Sequence, residues 1–423
     1  MDAHRFATKS LQDPRYLRIL SSALKAVDPF YAVQTHLPAL EGRVFGLAIG
    51  KAAVPMMDAL VERFPLTDGL AVTKFAPEQS RRLYTVIEGA HPVPDPRSLE
   101  AGKSVLKFVS SLNEDDTLVC FISGGGSALV TAPHVPLEDL QTLTSLLLSS
   151  GAPIDEINVL RRQLDRIKGG GLAHATKAKI LSLILSDVIG NPLEAIASGP
   201  TVPDPTTRED AMKILKKYQI EKQVPDSILQ FLESKSLDLD FRQQSVGPDR
   251  IQNIIVGDNK LAALGAFEHA EREEGFYAEI LTNELRGEAR EVGRELAYRL
   301  RVESSARKRP FCLIAGGETT VTIKGKGKGG RNQELALSAV EELRGLDNVM
   351  LIALGTDGDD GPTDAAGAVV TGESASRAEE LGLDAEASLS RNDAYPFFEA
   401  LGDLLKPGPT GTNVNDLVFL FAI

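Results

Sequence analysis

Leu118-Val-Cys-Phe-Ile-Ser123-Gly124-Gly125-Gly126-Ser127-Ala128 is an apolar run that ends in three consecutive glycines. A short apolar run without period-2 alternation reads as a strand covered on both faces. Three glycines directly behind it let the backbone take positive φ and approach a ligand closely. A plain turn rarely needs three, so a nest of backbone N–H groups for an anion is the better reading. The spacing is not Gly-x-Gly-x-x-Gly, and no acidic residue stands where a dinucleotide fingerprint requires one.

The same design recurs outward from this stretch. Gly46-Leu-Ala-Ile-Gly50-Lys51-Ala52 is a strand, a glycine turn and a lysine opening a helix, a setting that suits phosphate or carboxylate. It is not a Walker A loop, which has four residues between its glycines where this motif has three, and whose lysine precedes Ser or Thr. An ordinary strand-to-helix turn with a surface lysine is the alternative. Cys312-Leu-Ile-Ala-Gly316-Gly317-Glu318 echoes the opening motif.

Strands are predicted at Val44–Ile49, Leu70–Thr73, Leu118–Ser123, Ile180–Ser186, Ile251–Val256, Phe311–Ala315, Val349–Leu354 and Leu417–Phe421. Helices are predicted at Ala52–Phe64, Pro136–Ser149, Thr207–Tyr218, Lys260–Glu274, Glu288–Glu303, Asn332–Leu343 and Tyr395–Leu401. Strands alternating with helices imply an α/β fold with largely parallel sheets. At about 150 residues per domain, 423 residues exceed a single core. The polar stretch from Ser234 to Arg250 is the best boundary. It places domain one at 1–240 and domain two at 241–423, with the helical N-terminus able to pack on the second domain.

Composition narrows the function. The two cysteines, Cys120 and Cys312, lie in apolar runs, which fits buried thiols in a reducing cytoplasm. No apolar run approaches the roughly 20 residues that span a bilayer, and the first 30 residues lack a signal-peptide core. The formal charge of 46 − 59 = −13 argues against nucleic acid. It allows an anionic substrate in a locally basic site.

Four further motifs bear on chemistry. In Asn158-Val-Leu-Arg-Arg-Gln-Leu-Asp-Arg-Ile-Lys168-Gly-Gly-Gly-Leu172, Arg162 and Arg166 share one helix face; a solvated basic face with a glycine stop is the alternative. Asp187 follows a buried strand, where open α/β sheets bind ligands, and suits a proton acceptor or a metal ligand. A turn aspartate is the plain alternative. Lys324-Gly-Lys-Gly-Lys-Gly-Gly-Arg331-Asn332-Gln333-Glu334 reads as a mobile basic loop leading into a helix. Arg331 at a helix N-terminus is electrostatically poor, and an anion explains it better. Gly355-Thr-Asp357-Gly-Asp-Asp360-Gly-Pro-Thr-Asp364 offers carboxylates for magnesium, although it fails the EF-hand spacing. Asp364 is expected to cap a following helix. Thr207 and Asp210 are spaced as a capping box.

Together these motifs resemble one family. The strings Gly124-Gly-Gly-Ser-Ala-Leu129, Ser186-Asp-Val188, Ala197-Ser-Gly-Pro-Thr201, Gly329-Gly-Arg-Asn-Gln-Glu334 and Gly411-Thr-Asn-Val-Asn-Asp416 resemble the glycerate 2-kinases whose C-terminal part is the MOFRL domain. The likeness runs in order along nearly the whole chain. Gln163 and Gly171 depart from it, standing where relatives carry His and Arg. Relatives have also been labelled hydroxypyruvate reductases, a label the missing dinucleotide fingerprint does not support.

The resemblance implies phosphorylation of D-glycerate by ATP with Mg²⁺, to 2-phosphoglycerate. It implies two unlike α/β domains, the first a Rossmann-like parallel sheet sandwich, with the active site in the cleft between them. Lys51 and Arg331 are implied to contact substrate or the moving phosphoryl group, and Asp187 is assigned the hydroxyl proton. Ser127 and Asn332 join Lys51 and Arg331 as substrate-binding candidates. Gly124, Gly125, Gly126, Ser127 and Asn191 are the ATP candidates, and Asp187, Glu318 and Asp357 the metal candidates. A homodimer is the expected assembly. The rival readings are an NAD-dependent hydroxypyruvate reductase and a non-catalytic sugar-acid-binding protein.

Overall fold

The apolar runs pair into two separate six-stranded sheets. The computed structural model describes residues 2–76, 83–234, 247 and 249–423. The chain divides into two units, one of Pro29–Val256 and one of Met1–Asp28 with Gly257–Ile423.

In the first unit the strands are β1 (Val44–Ile49), β2 (Asp68–Thr73), β3 (Thr85–Glu88), β4 (Thr117–Ile122), β5 (Lys179–Leu185) and β6 (Ile251–Gly257). Their order is β3-β2-β1-β4-β5-β6, and the pairs from β3 to β5 are parallel. This is the order of doubly wound sheets, which bind ligands beyond the strands' carboxyl ends where the order reverses. Here that point lies between β1 and β4. The central strands are buried along their length because helices cover both faces. Phe45, Leu47, Ile49, Leu118, Cys120 and Ile122 join a cluster with Val105 and Val109 of the helix Pro96–Ser110. On the other face, a Cβ at Gly46 would meet Met57 Sδ of the helix Ala53–Arg63 at 2.6 Å. A separate helical cluster includes Leu140, Leu143, Leu160, Leu164, Leu215 and Ile228. The capping box of Thr207 and Asp210 forms as the spacing predicts.

The domain boundary moves from its sequence position. β6, expected to open the second domain, is the sixth strand of the first sheet. Pairing with β5 outweighs the composition break before it. Much of that polar stretch, residues 235–246 and 248, lies outside the described residues.

The second sheet runs β11-β10-β9-β12-β8-β7. Its strands are β7 (Tyr277–Leu285), β8 (Phe311–Gly317), β9 (Val349–Gly355), β10 (Gly367–Thr371), β11 (Leu404–Leu405) and β12 (Asp416–Ala422). Only β7 and β8 pair in parallel; the other neighbours are antiparallel. This corrects the expectation of largely parallel sheets for this unit. β10 follows β9 without an intervening helix, and parallel pairing needs a crossover. Asp364 therefore leads into a strand and caps no helix. It accepts a hydrogen bond from Tyr395 Oη (2.7 Å) and pairs with Lys406 (3.2 Å). Both cysteines are free and buried.

Residues 2–28 belong to this second unit. The helix Pro14–Ala26 packs so closely on Asn259–Arg272 that a Cβ at Gly265 would lie 2.5 Å from Ala26 Cβ. Asp403, fully buried, fastens the N-terminal segment. It accepts from Thr8 Oγ1 (3.0 Å), Ser10 N–H and Ser10 Oγ (both 2.8 Å), and pairs with Arg377 (2.8 Å). Removing one partner of a buried ion pair leaves an uncompensated charge, so Asp403→Ala should cost about 3–5 kcal/mol. Urea unfolding checks this, and limited proteolysis should release the N-terminal segment first.

Candidate active site

The loops leaving β1 and β4 are built against each other. Register sets Ile49 beside Ile122, and Ile122 beside Ile184, so three loops leave one edge of the sheet side by side. Gly50 has φ +132°, and a Cβ there would lie 2.1 Å from Ser123 Oγ. Ser123 N–H donates to Ile49 O (2.9 Å), Lys51 N–H to Gly124 O (2.9 Å) and Ala52 N–H to Ser123 Oγ (3.1 Å). Gly125 takes φ +83°; a Cβ there would meet the His91 ring at 3.1 Å and Lys51 Cγ at 3.4 Å. Lys51 and His91 thus stand on the glycine turn. Burial, followed by Lys51 and Lys74, pushes His91 down to about 4, so its imidazole is neutral. The N–H groups of Gly124 and Gly125 take no part in the hydrogen bonds that shape the turn among the described residues.

Gly126 passes Ala197, where an added Cβ would come within 2.9 Å of Ala197 Cβ. Ser127 Oγ lies 2.8 Å from Ser198 Oγ. Ala197, Ser198 and Gly199 all have positive φ (49°, 60° and 62°), a conformation that costs free energy in non-glycine residues. It is held by Gly169 N–H to Ser198 O (2.9 Å) and Gly170 N–H to Gly199 O (2.7 Å). Three motifs far apart in sequence are therefore one structure.

Asp187 lies half-buried two residues beyond β5. Asn191 forms a left-handed turn in the same loop (φ 55°), its N–H donating to Val188 O at 3.0 Å. The helix Ile154–Leu164 ends before Arg166, so Arg162 and Arg166 do not share a helix face. Arg162 is buried and pairs with Asp204 (2.9 Å), whereas Arg166 is exposed, so they do not act together. Gln163 also bonds Asp204 (2.9 Å), and Lys168 is buried on Asp165 (2.7 Å).

In the second unit, Arg331 opens the helix Arg331–Leu343. Asp416, at the start of β12, grips it with two oxygens, at 2.5 and 3.0 Å. Its third nitrogen pairs with Glu318 at 2.9 Å. The anions that explain this arginine include the protein's own carboxylates. The remaining motif residues turn inward. Asn332 is 1% exposed, and its amide reaches toward Asp360 (3.5 Å). Gln333 bonds Thr363 (2.9 Å), and Glu334 pairs with Arg290 (2.6 Å). Asp360 caps the helix, accepting N–H bonds from Asn332 (3.2 Å) and Gln333 (2.9 Å). Burial pushes Asp360 up to about 7.

The lysine-glycine segment is docked, not a mobile hairpin. The N–H groups of Lys324 and Gly325 donate to Asn392 Oδ1 (2.7 and 2.9 Å), and that of Lys328 to Asp393 (2.9 Å). A Cβ at Gly325 would lie 2.0 Å from Arg391 O, so this residue must be glycine. The metal candidates do not gather: among the described residues no three His, Cys, Asp or Glu side chains are grouped to hold an ion. Glu318 is engaged by Arg331, and Asp357 is half-buried after β9. Arg161 was not singled out in the sequence, because helical spacing cannot show which of two adjacent arginines has a partner.

Comparison with known proteins agrees with this architecture. A family described as a domain of unknown function (DUF4147) matches residues 15–233, and the MOFRL family matches residues 311–416. The chain is 41% identical to a glycerate 2-kinase of Pyrococcus horikoshii, over 95% of each chain. It is 39% identical to a putative hydroxypyruvate reductase of Agrobacterium vitis, over 95% of this chain and 92% of that one. A crystal structure of glycerate kinase from Thermotoga maritima superposes with a TM-score of 0.88 at 41% identity, covering 97% of this chain and 99% of the other.

Asp360 gives this region a pH signature. Its folded pKa of about 7 exceeds the unfolded value of about 3.9. The folded state therefore holds more protons between those values, and stability from this group falls as pH rises through that window. Asp360→Asn keeps an acceptor for the helix and removes the titration. Wild type should lose more unfolding free energy than the variant between about pH 4 and 7, measured by urea denaturation. Parallel curves would show Asp360 ionised throughout.

Proposed function

Since the chain belongs to the glycerate 2-kinase family with a C-terminal MOFRL domain, we propose that it transfers the γ-phosphoryl group of ATP to the 2-hydroxyl of D-glycerate. The observation that carries the reading is the placement of Lys51 on Gly125, where the strand order reverses. A cation and uncommitted backbone N–H groups meet there, as an anionic phosphate requires.

In the reaction, the 2-hydroxyl oxygen attacks the γ-phosphorus. A C2–O–P linkage forms, the bond from the γ-phosphorus to the bridging oxygen breaks, and ADP leaves with that electron pair. Asp187 takes the hydroxyl proton. Lys51 neutralises the moving phosphoryl group. Gly124, Gly125, Gly126, Ser127 and Asn191 hold the nucleotide's phosphates. Arg331 binds an anionic group through the nitrogen now on Glu318. That carboxylate is 42% exposed, and such ion pairs contribute about 0–1 kcal/mol, so an anion can replace it. Asp416 meanwhile keeps the guanidinium in its plane. Asn332 acts by positioning Asp360.

Magnesium in such sites is held by one or two carboxylates and by the nucleotide's phosphates. Asp187, half-buried just beyond its strand, would supply one such carboxylate. The ion would neutralise phosphate charge.

The test is to supply ATP and D-glycerate and pass the product to enolase, which accepts 2-phosphoglycerate and not the 3-isomer. ADP formation and consumption by enolase are expected; absence of either overturns the assignment. Lys51→Ala and Arg331→Ala should each lower kcat/KM by about 100-fold or more with the fold retained in circular dichroism. Near wild-type kinetics would remove that residue from the mechanism.

A further inference from the structure

Of the four basic side chains from Arg161 to Lys168, Arg166 is exposed to solvent and two others are neutralised. Arg162 pairs with Asp204 and Lys168 with Asp165. Lys168 also donates to Val130 O (3.2 Å) and Thr131 Oγ1 (3.4 Å), which uses its three hydrogens. Arg161 is different. It is half-buried, and its one hydrogen bond among the described residues is a long one to Asn158 Oδ1, 3.4 Å. No carboxylate there lies within ion-pair distance of it. Burial lowers its pKa, as expected for a cation stripped of water without a compensating anion. Leaving such a charge unpaired is costly, and an arginine's fork of donors matches a carboxylate.

The space beside it selects the anion. Arg161, Lys168, Gln141 and Ser127 line a cavity of about 20 Å³, walled by Val93 and Leu140. A water needs about 10–15 Å³ on this measure, so the cavity has room for a group the size of one carboxylate oxygen. Ser127 belongs to the glycine turn that carries Lys51 on Gly125, two residues earlier. A short hydroxy acid anchored in this cavity would have its remaining carbons along that turn.

We propose that Arg161 is the residue that binds the substrate's carboxylate, in the cavity beside Ser127, leaving Lys51 to the phosphoryl group. This rests on the kinase reading above and divides the labour between two cations of the same unit. Specificity for an acid over the corresponding neutral alcohol or amide then lies with Arg161. A neutral analogue would leave the guanidinium unpaired, which discriminates more strongly than any loss of shape.

Steady-state kinetics of Arg161→Gln and Arg161→Lys test this, with D-glycerate and with its neutral amide as acceptors. In Arg161→Gln the KM for D-glycerate should rise roughly 30- to 100-fold, as for loss of a charge-assisted bidentate pair, with the KM for ATP changed less than about twofold. The preference for D-glycerate over the amide should collapse. Arg161→Lys keeps the charge in nearly the same volume and should fall between, so it decides the matter if the glutamine variant does not fold. An unchanged KM for D-glycerate in either folded variant, with wild type active, overturns the carboxylate role and leaves the kinase reading intact. Wild type that forms no ADP from D-glycerate and ATP overturns the kinase reading and this proposal with it.

Discussion

The contact between Gly50 and Ser123 is the constraint on which the carboxyl edge of the first sheet depends. Ser123 uses its N–H on Ile49 and its hydroxyl on Ala52, and its atoms fill the space where a Cβ at Gly50 would be. Two parallel strands with fixed register thus end in a single rigid junction. Lys51, His91 and Gly125 meet because that junction leaves them no other arrangement. Proton and phosphoryl transfer need groups held to within a fraction of an ångström, and supports of this kind supply that precision.

The second unit solves a different problem, that of holding an arginine at a helix N-terminus. The helix end repels a cation. Asp416 and Glu318 offset this directly, and Asp360 caps the helix beneath it. Burial raises the pKa of both aspartates. Most of the Gly-Arg-Asn-Gln-Glu run is therefore scaffolding for one guanidinium. Asn332 and Gln333 illustrate the limit of reading function from a motif: both are buried and serve the cap.

The parts legible in the sequence were those whose physics is local. β1, β4, β5, β8, β9 and β12 announce themselves because strands buried on both faces have nearly continuous apolar runs. β3 and β7 do not, since they are edge strands with half-exposed side chains. β10 was hidden because its connection to β9 contains turn residues and no helix. The boundary was misplaced for a non-local reason: β6 lies beyond a polar stretch yet completes the first sheet. The same applies to the basic helix. Spacing grouped Arg162 with Arg166, but the Asp204 that neutralises Arg162 is 42 residues away. Only the folded chain shows that Arg161 is half-buried without a carboxylate partner among the described residues, while Arg166 lies exposed. Lys51, the glycine turn and Arg331 stood out as candidates because their residue types are poor choices for the local structure alone.

Presentation of Lys51 depends on the junction between Gly50 and Ser123, and Gly50→Ala probes it directly. The added methyl must displace Ser123 while removing no charged group from the site. Turnover of D-glycerate with ATP should fall about as far as when the Lys51 side chain is removed, with far-UV circular dichroism still showing the α/β fold. Turnover close to wild type in a folded Gly50→Ala protein would show that the junction does not position the lysine, and would contradict the account.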